Sequence, residues 1–237
     1  MKQLLFHPSS LGQLMTNSRS KSDPLGETCK SKLLEIWVEE KFNRKKTIAN
    51  KWIEKGLLVE EDSLTLYSRC TKKFFKKNKE QISNDWFTGT PDIIEKDCII
   101  DIKSSWDLHT FLKANFDDVN KNYFWQGQAY MDLTGIKKFK LVYCLINTPE
   151  QIINDEKRKL GWLMGTATDT DQKCIDAFSE LEKEMIFDDI PMGERFFEIE
   201  IDYNEEMMAK AKEKLVLCRE YIKSLKFQNK IINDAIE

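Results

Sequence analysis

The chain has 237 residues, 41% apolar and 32% charged, with 9 Gly and 5 Pro, which excludes a disordered or fibrous chain and fits one enzyme-sized α/β domain. Its 37 basic and 40 acidic residues leave a net charge of −3, which argues against a protein that coats nucleic acid indiscriminately while allowing local basic surfaces. No apolar stretch approaches the roughly 20 residues of a membrane span, and no signal-peptide core precedes Pro8, so a cytoplasmic protein without membrane association is expected.

In chain order, residues 1–20 read as a short polar lead-in followed by a helix start. Across residues 25–44, Leu33, Leu34, Trp37, Val38 and Phe42 recur at helical spacing, and residues 48–67 repeat the pattern through Leu57, Leu58, Leu64 and Leu66, which predicts two helices. Residues 86–94 and 98–103 are β-prone runs separated by the polar turn Glu95-Lys96-Asp97, which predicts a hairpin. Residues 120–134 return to helical spacing and stop at Gly135, a natural cap, and residues 139–146 read as a buried strand. Residues 150–163 and 171–187 read as helices. Phe197, Ile199 and Ile201 alternate with Glu198 and Glu200 as in a half-buried strand, and Asn204 caps a last helix to about Phe227. No repeat or linker divides the chain.

Cys29, Cys70, Cys98, Cys144, Cys174 and Cys218 are widely spaced and never form CxxC, so they read as buried thiols rather than as zinc or iron–sulfur ligands. With only His7 and His109, any metal must be held by carboxylates, which selects a hard cation such as magnesium or manganese.

The chemistry concentrates in Gly89-Thr90-Pro91-Asp92 and Asp101-Ile102-Lys103. On a strand Asp101 and Lys103 project together while Ile102 turns into the core, its carbonyl left at the strand edge. If Asp92 opens the partner strand, two carboxylates meet beside one ammonium, and a divalent cation resolves their repulsion. That set suits phosphodiester hydrolysis; a turn carboxylate and a salt-bridged stripe are the bland alternatives. Two basic groups are also present: Lys72, Lys73, Lys76, Lys77 and Lys79 around Phe74 and Phe75, and Lys41, Arg44, Lys45, Lys46 and Lys51. Each is either a solvated helix face or a phosphate-tracking surface.

GTPD…IIDIKSS resembles the signature of the PD-(D/E)XK nuclease superfamily, with Asp92, Asp101 and Lys103 at its two acidic positions and its lysine. Gln126 and Tyr130, one helical turn apart, resemble the Gln-x-x-x-Tyr motif of RecB-like and lambda-exonuclease-like members. Gly56 and Glu60 resemble the Gly-x-x-x-Glu helix that adds an acid to the metal site in the lambda exonuclease (YqaJ-type) branch. Pro8-Ser9-Ser10 resembles that branch's early serine motif, although the arginine that often precedes it is missing.

The resemblance implies a restriction-endonuclease-like core, a central mixed sheet flanked by helices, in one domain made of N-terminal helices (1–80), a catalytic core (81–150), and C-terminal helices and a strand (151–237). It implies a magnesium-dependent exonuclease of phage type, with manganese able to substitute and no iron–sulfur cluster. Asp92, Asp101, Glu60 and the Ile102 carbonyl would hold the metal. Lys103 would position or deprotonate the attacking water, the latter requiring a lowered pKa, with Gln126 beside it. Ser10, Ser104, Tyr130, Lys72, Lys73, Lys76 and Lys77 would contact phosphates. The family further implies duplex DNA ends degraded 5′ to 3′, a ring-shaped homotrimer, a single-strand annealing protein as partner, and a bacterial host cell. The competing readings are a RecB/Cas4-like or structure-specific endonuclease on the same core, and a catalytically silent DNA-binding module.

Overall fold

In the computed structural model, which describes residues 3–20, 23–46, 50–165 and 171–227, the chain opens on a 3-10 turn (Pro8–Ser10). There follow α1 (Leu11–Leu14), α2 (Glu27–Phe42), α3 (Lys51–Leu58), α4 (Glu60–Thr71), β1 (Ile82–Ser83), β2 (Thr88–Gly89), β3 (Ile93–Ile94), β4 (Ile99–Ser105) and α5 (Leu108–Phe116). The chain continues through α6 (Lys121–Thr134), β5 (Lys138–Leu145), α7 (Glu150–Leu163), α8 (Gln172–Lys183), β6 (Phe196–Asp202) and α9 (Glu205–Ser224). This is an α/β architecture with a mixed central sheet flanked by helices. The sheet runs β3-β4-β5-β6, with β4 and β5 parallel and both outer pairings antiparallel.

Side chains alternate across a strand, so each face gathers its own core. Ile99, Leu141, Tyr143, Leu145 and Ile201 point to one side, where Leu11, Leu14, Leu33, Ala129, Met131, Met208 and Leu215 of four helices cover them. Ile93, Ile100, Val142 and Cys144 point to the other, under Leu66 and Tyr67 of α4 and under Phe75. Each fully buried aliphatic side chain contributes roughly 1.5–3 kcal/mol. α6 lies close on β5 because residue 127 is glycine: a Cβ there would sit 2.6 Å from the Phe139 ring. Gln128, buried beside it, donates to the Asp202 carbonyl and accepts from the Asn204 amide, both at 2.8 Å, which locks α6 to the junction of β6 and α9.

The predicted hairpin is present as β3 and β4, α6 ends at Gly135, and Asn204 caps α9 through the Met207 amide. Elsewhere the structure corrects the sequence reading. The polar lead-in is a 3-10 turn and α1, whose Leu11 and Leu14 are fully buried. Residues 48–67 are two helices, broken at Val59 (φ −101°, ψ 12°); Ile48 lies outside the described residues. Lys55 pins the break from inside: its ammonium donates to the Trp106 carbonyl at 2.7 Å, and burial pulls its pKa down to about 7. α5, unforeseen, is set by an Asp107/Thr110 capping box and buries only Phe111 of its apolar residues, so its hydrophobic pattern is uninformative. Four cysteines are buried, but Cys70 and Cys98 are only half-buried.

Candidate active site

β3 is two residues long and pairs only with Ile99 and Ile100, so beyond Ile100 that edge of β4 has no strand partner. The side chain of Asp92, just before β3, takes the place of one: its Oδ2 accepts the Ile102 amide at 3.0 Å. Because the N–H and C=O of one strand residue point to the same edge, the Ile102 carbonyl lies on the edge that Asp92 caps. The turn carrying Asp92 is braced twice. Asn78 donates its main-chain N–H to the Asp92 carbonyl (2.7 Å) and its side-chain amide to the Pro91 carbonyl (3.1 Å), and the Tyr130 hydroxyl donates to the Thr90 carbonyl at 3.3 Å. Gly89 permits this closeness, since a Cβ there would lie 2.9 Å from Pro8 and 3.2 Å from the Tyr130 ring.

Asp101 is 2% exposed and faces α6. Gln126 Nε2 donates to its Oδ1 at 3.3 Å, and Lys103 Nζ stands 2.6 Å from its Oδ2 as an ion pair off the hydrogen-bond direction, leaving that buried oxygen without an aligned donor. The Lys103 ammonium also lies 4.9 Å from the centroid of the Tyr123 ring. Burial raises the Asp92 pKa to about 6, and the neighbouring Asp101 charge adds to it against the Ile102 hydrogen bond. Burial depresses the Lys103 pKa, but the charge of Asp101 2.6 Å away, with Asp92 behind it, outweighs burial and holds it above the ordinary lysine range. Lys103 is held charged here, whereas the base role requires a lowered pKa.

Glu60 opens α4, and with Leu64, Lys77, Asp92, Ile93 and Ile102 it lines a small cavity beside Asp92. Gly56 belongs to α3, so the Gly-x-x-x-Glu spacing crosses a helix break rather than lying on one helix. Among the described residues, no three His, Cys, Asp or Glu side chains stand close enough together to hold a metal ion. Two of the three expected acids are paired with lysines: Lys103 with Asp101, and Lys77 with Glu60 at 2.5 Å. The donor set nonetheless fits a hard divalent cation. Asp92, Asp101 and the Ile102 carbonyl are all oxygen donors at one strand edge, the two carboxylates repel, and one buried oxygen of Asp101 is short of a donor.

No protein-family model matches the chain, and no curated protein does. Among solved structures, a phage-related exonuclease from Haemophilus somnus 129PT superposes with a TM-score of 0.70 at 24% identity, over 93% of this chain and 94% of that one. This chain shares the fold of that exonuclease. An alkaline exonuclease from Laribacter hongkongensis superposes at 0.63 with 13% identity, over 93% and 88% of the two chains. The same enzyme in complex with dAMP gives 0.63 and 14%.

Within this fold, Asp92, Asp101, Ile102, Lys103 and Gln126 come together as one group, with Glu60 on its α4 side. Tyr130 shares the α6 face of Gln126, and its hydroxyl donates to the Thr90 carbonyl, which braces the Asp92 turn. Ser10 is buried at the end of the 3-10 turn that packs on Gly89 through Pro8. Ser104 departs from the group. It faces α4, opposite to Asp101 and Lys103, and its hydroxyl lies 2.7 Å from that of Ser63. Strand parity forbids any other placement, because 104 is out of phase with 101 and 103. The sequence reading missed Asn78, for which no local pattern exists, and the contact of Tyr123 with Lys103. Tyr123 could have been found, being one helical turn before Gln126 on the same face.

Proposed function

We propose that this protein is a divalent-metal-dependent deoxyribonuclease that degrades duplex DNA from a 5′ end. The observation that carries the reading is the Asp92–Asp101 pair, repelling across one strand edge, with the Ile102 main chain between them and the Lys103 ammonium against Asp101. Asp92, Asp101 and the Ile102 carbonyl would hold magnesium, with Glu60 in reach of Asp92. A bound magnesium ion would activate a water and shield the charge that develops on the phosphoryl oxygens. Lys103, held protonated, would donate to the same phosphate and orient it. Gln126 fixes the Asp101 carboxylate; Asn78 and Tyr130 fix the turn that presents Asp92. That a similar exonuclease was solved with dAMP supports a pocket for a nucleoside monophosphate here. The homotrimer and the annealing-protein partner belong to the same proposal through the family resemblance.

An all-oxygen donor set makes a definite prediction about metals. Magnesium or manganese restores hydrolysis of linear duplex DNA to protein stripped of divalent ions, calcium inhibits it, and zinc is not required. Activity that survives magnesium removal but disappears with a zinc-selective chelator would sink the assignment.

The basic groups now separate. Lys45 and Lys46 pair with Glu39 and Glu35, and the Lys41 ammonium lies over the Trp37 ring, so these three cations already have partners. Lys72, Lys73 and Lys76 are exposed and form no ion pair among the described residues; Lys77 pairs with Glu60 beside the site. A duplex approaching three carboxylates needs such compensating charge. Replacing Lys72, Lys73, Lys76 and Lys77 together with glutamine weakens DNA binding and flattens its salt dependence, by about 0.9 in log–log slope per lost contact. If the quadruple variant binds like the parent across a salt titration, the groove lies near Arg44, Lys45 and Lys46 instead.

A further inference from the structure

The two phenylalanines in the lysine-rich loop after α4 have opposite fates. Phe75 is buried and stacked on Tyr67, with ring centroids 4.7 Å apart and planes 12° from parallel. Phe74, its neighbour, is 91% exposed. The loop that presents it is anchored at both ends. Lys72 adopts a left-handed conformation (φ 55°) that closes α4, and the Lys73 amide donates to the Ser68 carbonyl at 3.2 Å. At the far end, Lys77 pairs with Glu60, and the Asn78 amide donates to the Asp92 carbonyl. Phe74 is thus held four residues from a direct main-chain bond to Asp92, at most about 14 Å of extended chain. Folding explains Phe75, which fills the core under α4. It does not explain a large aromatic ring in water, flanked by the ammonium groups of Lys72, Lys73 and Lys76.

We propose that Phe74 is a stacking platform for an unpaired nucleobase of the DNA strand whose phosphates lie on Lys72, Lys73 and Lys76. A flat π face among cations on a fixed loop matches what single strands require: every base can stack on it, and the backbone finds positive charge on either side. The inference deepens the nuclease reading and rests on it. It narrows the substrate to DNA that exposes unpaired bases near the Asp92–Asp101 edge, as a frayed end or a separated strand does.

The experiment uses single-stranded and frayed-end duplex oligonucleotides carrying 2-aminopurine, bound in calcium so that no cleavage intervenes. With the parent protein the 2-aminopurine fluorescence is quenched on binding. Phe74→Ala abolishes the quench and weakens binding about 5- to 150-fold, the range that loss of one base–aromatic stack gives. Phe74→Tyr keeps both, whereas Phe74→Leu, apolar but without a ring, behaves like alanine. Phe116→Ala, another exposed aromatic at 80%, changes neither. Binding by Phe74→Ala or Phe74→Leu at the parent's affinity overturns the stacking role. If the parent still degrades DNA with magnesium in that case, the nuclease reading stands without it. If the parent neither binds nor degrades DNA, the nuclease reading falls and the stacking role falls with it.

Discussion

Asp101→Asn abolishes DNA hydrolysis, lowering kcat/KM by more than about 10³-fold, while the protein keeps its fold. Asparagine fills the same volume at a position 2% exposed and retains an oxygen for the Gln126 amide, so the α6 packing survives. What disappears is the negative charge at the strand edge, the one feature of Asp101 that a cation needs and the core does not. The change is not free, because Lys103 loses its partner 2.6 Å away; truncating one member of a buried pair leaves the other uncompensated. Lys103 is 24% exposed and can turn toward solvent, which keeps the destabilisation to about 1–3 kcal/mol, a fall of several degrees in thermal midpoint for a chain of this size. Circular dichroism melts and single-turnover assays on the same preparation check this. Loss of the folded baseline in step with activity would show Asp101 to be a structural residue.

Lys103→Met removes hydrolysis by about 10²–10³-fold without removing the metal, because an ammonium has no lone pair to offer a cation. Methionine keeps an unbranched apolar stem beside the Tyr123 ring and leaves Asp101 without its competing cation. Manganese affinity, followed by electron paramagnetic resonance of the free ion, is therefore at least as tight in the variant as in the parent. Weaker manganese binding would mean that Lys103 orders the carboxylates rather than acting on the phosphate.

The contrast between these two residues shows what a sequence can and cannot carry. That Asp101 and Lys103 share a face follows from strand periodicity alone, and Gln126 and Tyr130 follow from helical periodicity; both facts hold. The charge state of Lys103 is not legible, because it depends on a balance between burial and two acids, one of which, Asp92, arrives from the turn before β3. For Tyr130 the face is legible in the sequence, but its partner Thr90, forty residues earlier, is not. The break at Val59 was hidden because leucines on either side keep a helical rhythm while the buried Lys55 decides where the helix stops. Ser104 is a different case: its parity, legible in the sequence, puts it on the α4 face of β4, opposite to Asp101 and Lys103.

The central claim is that this strand-edge site cuts DNA from its ends. The measurement that tests it most directly incubates the protein and magnesium with end-labelled linear duplex and with covalently closed circular duplex, and follows both by electrophoresis. Mononucleotides released from the 5′-labelled linear duplex, with the closed circle left intact, are the predicted result. Nicking or linearisation of the closed circle would contradict it and make the protein an endonuclease on the same core, and no magnesium-dependent product from either substrate would leave a DNA-binding module without catalysis.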